Sequence, residues 1–247
     1  MSTFLQDLGY GLRMMRRAPG FTAAAVLTLA LGIGVNTATF GIVSVLSLKP
    51  LPYKNPERVA FVLGWSNDRR QRLFNLPLVD ALDVASQARS FEEVAAYQYW
   101  SANLTGGDQP ERLQAYRVTA NTFTLLGIDA RRGRSVTEED GRPDAADVVV
   151  LSYGLWQRRF GGAASILGEA MILDGRPHTV VGVMPPQFEF PVFNFKGDAW
   201  TPIKTSTEAA ATRVGSPSIV AIARLKPGVR YEAAQAELAT IMRRQPC

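Results

Sequence analysis

The stretch VVVLSYGLWQRRFGGAASILGEAMILDGRPHTVVGV, Val148 to Val183, decides how this chain is read. Val148 to Leu151 is a short unbroken apolar run, the pattern of a strand buried on both faces. Ser152 follows it. A serine hydroxyl can accept a backbone N–H in the first turn of a helix, and Tyr153 to Phe160 is predicted as that helix. Gly161-Gly162 stops it, because glycine enters the left-handed conformation at little cost. Ala170 to Leu173 and Thr179 to Val183 are predicted as the arms of a hairpin. Asp174-Gly175 between them suits the positive φ angles of a tight type I′ turn. Strand, helix and hairpin in close succession place the chain in the α+β class.

The pattern continues on both sides. Downstream, Ser218 to Leu225 reads as a strand and Pro227-Gly228 as a turn. Tyr231, Ala234, Leu238 and Ile241 then mark one face of an amphipathic helix. Upstream, Leu76 to Arg89 has helical spacing through Leu78, Leu82 and Ala85. Val94 to Leu104 and Arg112 to Thr119 read as strands joined across Gly106-Gly107-Asp108-Gln109-Pro110. Asn121 is placed to cap a short helix reaching Leu126. No repeat, low-complexity tract or long linker interrupts the chain.

The N-terminal part is different in kind. Phe21 to Leu48 holds no charged residue. A bilayer core about 30 Å thick needs about 20 apolar residues of helix, so this run is predicted as a retained transmembrane helix. A secretory signal is the competing reading, but its apolar core is about 7–15 residues and ends at a small-residue cleavage site. Ala30, Gly34 and Ala38 recur every four residues and so share a face on which another helix could pack closely. Asn36 beside them is a polar group that favours a partner in lipid. Arg13, Arg16 and Arg17 precede the span and only Lys49 follows closely, which predicts a cytoplasmic N-terminus and an external location for everything after about residue 49. Phe4, Leu8, Leu12 and Met15 recur at helical spacing. Residues 1–20 are therefore predicted as an interfacial amphipathic helix whose arginines meet anionic lipid, with Pro19-Gly20 allowing a bend before the span. Pro50 and Pro52 end helical continuity.

Composition excludes several functions. The 247 residues carry a formal net charge of +5. Part of that excess sits in the first twenty residues, and the remaining charges are nearly balanced and scattered. A nucleic-acid binder needs clustered cations, so no nucleic-acid partner is expected. Cys247, the last residue, is the only cysteine, so no internal disulfide can form. His178 is the only histidine and is expected as a half-exposed strand residue, with no nucleophile or carboxylate pattern around it. Glu138, Glu139, Asp140, Asp144 and Asp147 read as a solvated acidic loop, since their spacing is not that of a calcium-binding loop. There is no GxxxxGK[ST] loop for ATP. No catalytic, cofactor or metal site is expected.

Several stretches, in order, resemble MacB-like ABC transporter permeases, and most nearly their duplicated orphan-permease branch. They are LGYGLRMMRRAPGFTAAAVLTLALGIGVNTATF (Leu8 to Phe40), KPLPYKNPERV (Lys49 to Val59), ANTFTLLGIDARRGR (Ala120 to Arg134), the stretch quoted first, and IARLKPGVRYEAAQAELATI (Ile222 to Ile241). Together they cover nearly the whole chain. The resemblance implies one transmembrane helix followed by a periplasmic core domain at residues 49–247. That core would comprise a βαβ-type subdomain split between 52–125 and 215–247, with a strand-rich subdomain, 126–214, inserted. It further implies a permease subunit of an export system in the bacterial inner membrane. ATP would be used by a separate cytoplasmic ABC ATPase, and a second permease subunit or half would complete a dimer. Its motion would be mechanical, passing from the ATPase through the membrane helices to the periplasmic domains. The sequence departs from the family at Asn75-Leu76-Pro77-Leu78-Val79, where relatives often read Ser-Pro-x-x-Tyr. It also stops at Cys247, before the further spans that relatives carry, so the expectation is an N-terminal fragment. The alternative is a single-pass anchored periplasmic interaction module without transport activity.

Overall fold

The structure is a computed structural model that describes residues 19–20, 22–23, 26–34, 53–66, 71–106, 109–190, 196–204 and 216–243. The chain divides into two units, Met1–Leu51 and Pro52–Cys247. In the first, residues 19–20 and 22–23 are helical. Residues 26–34 are also helical, and Val26, Leu27, Leu29, Leu31 and Ile33 are all exposed. Among the described residues no helix is long and apolar enough to cross a membrane. Most of the predicted span and interfacial helix lies outside the described residues.

The second unit holds twelve strands and four α-helices among its described residues. The strands are β1 (Val59–Val62), β2 (Gly64–Ser66), β3 (Gln71–Leu73), β4 (Leu76–Pro77), β5 (Phe91–Thr105), β6 (Glu111–Val118), β7 (Arg132–Gly133), β8 (Val148–Leu151), β9 (Ala170–Leu173), β10 (Arg176–Val183), β11 (Ala199–Pro202) and β12 (Ser218–Leu225). The helices are α1 (Leu78–Gln87), α2 (Thr122–Leu126), α3 (Tyr153–Phe160) and α4 (Tyr231–Arg243). Ten strands share one sheet, in the order β1-β12-β5-β6-β11-β8-β10-β7, with β4 on β12 and β9 on β10. The β2–β3 ribbon stands apart.

The elements form for the reasons the sequence offers. Ser152 Oγ accepts the Leu155 N–H at 3.0 Å and opens α3. Gly161 closes it at φ +60°. Asp174 and Gly175 take φ values of +47° and +78°, the double left-handed pair that turns β9 into β10. Asn121 does not cap α2 with its side chain. Its Oδ1 accepts from Thr119 Oγ1 and its Nδ2 donates to the Val94 carbonyl, each at 2.9 Å, so the amide ties α2 to β5 instead.

Two arrangements share the long strand β5. At one end, β12 runs antiparallel between β1 and β5, and α1 links β1's side of the sheet to β5. This is a split βαβ unit. Leu78, Ala81 and Val84 of α1 and Ala234 and Ile241 of α4 cover one face of it, packing on Val62, Ala96, Ala221 and Ala223. At the other end the pairing closes on itself. It runs β5–β6–β11–β8–β10–β9 and returns from β9 to β5 through Leu173↔Leu104 and Ile172↔Thr105. Six strands thus make a closed ring, which leaves no free edge. A third cluster, rich in aromatics, fills the space beneath α2: Tyr97 and Phe190 lie 4.9 Å apart and Phe188 and Trp200 lie 5.2 Å apart. Strands from 52–125 and 215–247 and strands from 126–214 form two groups, joined by the parallel pairing of β6 with β11 and the antiparallel pairing of β5 with β9.

Candidate functional site

Two places concentrate polar chemistry inside the second unit. The first is the lead-in, residues 53–58, which precedes β1. Tyr53 is buried in the aromatic cluster and its hydroxyl donates to the Glu189 carbonyl. The Lys54 N–H donates to the Leu126 carbonyl at 3.0 Å. Arg224, 6% exposed on β12, donates through Nε to the Leu125 carbonyl at 2.8 Å and through Nη1 to the Asn55 carbonyl at 3.3 Å. Arg58 donates through Nε to the Leu225 carbonyl at 2.8 Å and pairs with Glu92. The lead-in is thus fastened to α2, β12 and β5 within six residues. Gly127, at φ +67°, makes room for it: a Cβ there would sit 2.5 Å from Lys54 Cβ. Burial is the largest influence on Tyr53 and pushes its phenol well above the ordinary range, while on Arg224 burial, with Arg58 nearby, lowers the guanidinium from its ordinary value. Neither group changes charge near neutrality, so the clamp is constant there.

The second place is the mouth of the six-strand ring. Side chains alternate along strands, so one residue in two points inward. Ala102 and Leu104 of β5, Leu113 and Ala115 of β6, Val149 and Leu151 of β8, Met171 and Leu173 of β9, Val180 of β10 and Ala199 of β11 belong to one apolar cluster, completed by Leu155 and Trp156 of α3. Continuing each strand toward the other end, the same facing becomes polar and borders a cavity of about 320 Å³. Gln98, Trp100, Arg117, Thr201, Asp147 and His178 all line it. Asp147 pairs with Lys204 at 2.6 Å and with Arg176 at 2.9 Å. Burial pushes its carboxyl up, but the Lys204 hydrogen bond and the nearby positive charges outweigh that and the net direction is down. Asp174 accepts from the Asn103 N–H at 2.9 Å, Asn103 Nδ2 at 2.8 Å and Trp100 Nε1 at 2.9 Å. Those bonds, the backbone one foremost, hold its carboxyl below the usual range.

The sequence expectations meet these sites unevenly. Ala30 and Gly34 are helical and exposed, with nothing within 4 Å of where a Gly34 Cβ would be. Asn36, Ala38, Arg13, Arg16 and Arg17 lie outside the described residues. His178 is not half-exposed but buried, at 7%, because it faces into the ring, with its imidazole 5.9 Å from the Trp100 ring. The acidic loop is not uniformly solvated either. Asp140 is 7% exposed, and its two oxygens take both Arg134 Nη atoms, at 2.5 and 2.9 Å, with the Thr137 N–H at 2.8 Å. Among the described residues no group of three or more acidic, histidine or cysteine side chains could hold a metal ion. The clamp and the mouth were missed because each is assembled from strands far apart in sequence. A buried-strand arginine in Ile222-Ala223-Arg224-Leu225 was the one signal available for the first.

Comparison with known proteins agrees with this architecture. The periplasmic region of MacB from Actinobacillus actinomycetemcomitans has the same fold, with a TM-score of 0.57, 21% identity, and coverage of 77% of this chain and 86% of that one. The extracellular domain of the ABC-type transporter YknZ from Gram-positive bacteria gives a TM-score of 0.55, 14% identity, and coverage of 74% and 92%. In sequence, 126 residues are 27% identical to a protein named as a probable syringafactin export ATP-binding/permease protein, from Pseudomonas syringae pv. tomato. That match takes in 51% of this chain and 18% of the relative, so the chain spans a small part of that protein's length. The profile of the MacB-like periplasmic core domain matches residues 22–241, and the chain belongs to that family.

Proposed function

We propose that the chain is the N-terminal part of an inner-membrane permease subunit in an ABC export system, and that its core couples motion of the membrane helices to the periplasm. A separate cytoplasmic ATPase hydrolyses the ATP, and a second permease subunit or half completes the pair, with Ala30, Gly34, Asn36 and Ala38 as packing positions. Arg13, Arg16 and Arg17 hold the N-terminus on the cytoplasmic side. The part formed by 52–125 and 215–247 takes up the motion, and the inserted part, 126–214, presents it outward. Membership of the family supports the setting.

The observation that carries the coupling is the clamp. Residues 53–58, at the start of the core, are held by the bonds of Lys54, Asn55, Arg58 and Arg224. A displacement of Tyr53 would therefore reach β12 and α2 as a rigid movement, whereas a Gly/Ser-rich linker would absorb it. Inserting four Gly/Ser residues between Pro52 and Tyr53 tests this in the complete permease with its ATPase in nanodiscs. Spin labels on Glu138→Cys, with Cys247→Ser, read the distance between two cores. The insertion is expected to abolish the ATP-dependent distance change while ATP hydrolysis continues. An unchanged response would remove the coupling role and leave an anchored interaction module.

A further inference from the structure

Gln98, Arg117 and Thr201 lie side by side across three strands of the ring: Gln98 is the register partner of Arg117, and Arg117 is the register partner of Thr201. All three border the mouth cavity, with Trp100 one inward position along β5. The Arg117 guanidinium lies 4.8 Å from the Trp100 ring centroid, a cation–π contact. Among the described residues it makes no hydrogen bond to a carboxylate or carbonyl, although its charge helps hold the Asp174 carboxyl down. The two carboxylates of the wall are already engaged, Asp147 by Lys204 and Arg176 and Asp174 by Trp100 and Asn103. Arg117, Arg176 and Lys204 against Asp147 and Asp174 leave the cavity one positive charge in excess. Thr201 is 4% exposed and its hydroxyl has no partner among the described residues. His178 also lines the cavity and meets the Arg176 carbonyl through Nδ1 at 3.0 Å.

A cavity with a flat indole, one unspent guanidinium and two further hydrogen-bonding groups has a definite complement. An arginine fork matches a carboxylate through two parallel hydrogen bonds, and the charged partner makes each stronger than a neutral one. The indole face takes an apolar group beside it. A cationic ligand would meet a lining of net positive charge, with Asp147 already ion-paired to Lys204 and Arg176. A volume of about 320 Å³ admits one or two amino-acid residues.

We propose that the mouth of the ring binds a small carboxylate-bearing ligand, its carboxylate on Arg117 and Thr201 and its apolar part against Trp100. A peptide C-terminus and a free aromatic acid share this chemistry. The site does not depend on the coupling reading, because it needs no ATPase and no moving helix.

Isothermal titration of the complete chain in nanodiscs tests it with three probes: N-acetyl-Leu-Ala as the free acid, the same dipeptide as its C-terminal amide, and benzoate. Saturable binding of the free acid, at least tenfold tighter than the amide, is the expected result. The Arg117→Gln variant is expected to lose at least tenfold with its melting temperature unchanged, since the side chain is exposed and outside the apolar clusters. Thr201→Val provides a second variant with a smaller loss. Benzoate binding as tightly as the free acid assigns the site to small aromatic acids, and weaker benzoate binding assigns it to peptide ends. No binding of either acid, equal binding of acid and amide, or full binding by Arg117→Gln would overturn the proposal.

Discussion

Arg224 shows how much one side chain can hold. It sits on a central strand at 6% exposure and supplies hydrogen bonds to carbonyls of α2 and the lead-in. Arg224→Ala strands those acceptors and is expected to cost about 3 kcal/mol, measured by chemical denaturation. Arg224→Lys cannot span both carbonyls and recovers only part of the loss. Asp140 makes a prediction about pH. Burial raises its carboxyl, but the Arg134 hydrogen bonds and the Thr137 donors outweigh it, so its folded value lies below the usual carboxylate range. A depressed folded value contributes stability that is complete above the unfolded value, about pH 4, and is lost as pH falls below it. Asp140→Asn is therefore expected to lower the melting temperature at pH 7, with the gap to the parent protein closing below about pH 4. A constant gap across that range would show that the pair contributes through packing alone. Neither residue's role was legible in the sequence. Arg134 and Asp140 are six positions apart on an irregular loop, where no periodicity tells a bidentate pair from two solvated charges. His178 was misread for a related reason: hairpin alternation gives two faces, and nothing local says that a closed ring makes one of them an interior.

At the level of elements, the sequence was most informative where the physics is local. The helix Tyr153–Phe160, its serine cap, its glycine stop and the Asp174-Gly175 turn stand as expected, because each depends on a few consecutive residues. Ser152→Ala is expected to cost about 1 kcal/mol, with Ser152→Thr restoring most of it. A thermal melt of the two variants decides between a capping role and a merely permissive one. The short strands β1, β7 and β11 were not read from the sequence, since two to four residues carry little alternation and each is defined by its partners. The return of β9 to β5, which turns an open sheet into a ring, is a non-local pairing that no motif announces. The two functional readings follow from that division. The local elements build the scaffold, and the sites arise where distant strands are brought into register.

On the scale of the whole molecule, one long strand serves both halves of the core. β5 lies beside β12 near its start and beside β6 and β9 near its end. On the proposed coupling, motion delivered to β12 by the clamp would enter the same strand that forms a wall of the ring. A shared strand resists relative movement of the two parts, so the core is expected to shift as one body. The distance between paired cores in the proposed permease assembled with its ATPase, read from spin labels at Glu138→Cys, tests the coupling most directly. A second label pair within one core, at Gln87→Cys on the exposed end of α1 and Glu138→Cys, serves as the internal reference. The distance between cores is expected to change on ATP binding while the distance within a core stays fixed. A change within the core, or no change between cores, would contradict it.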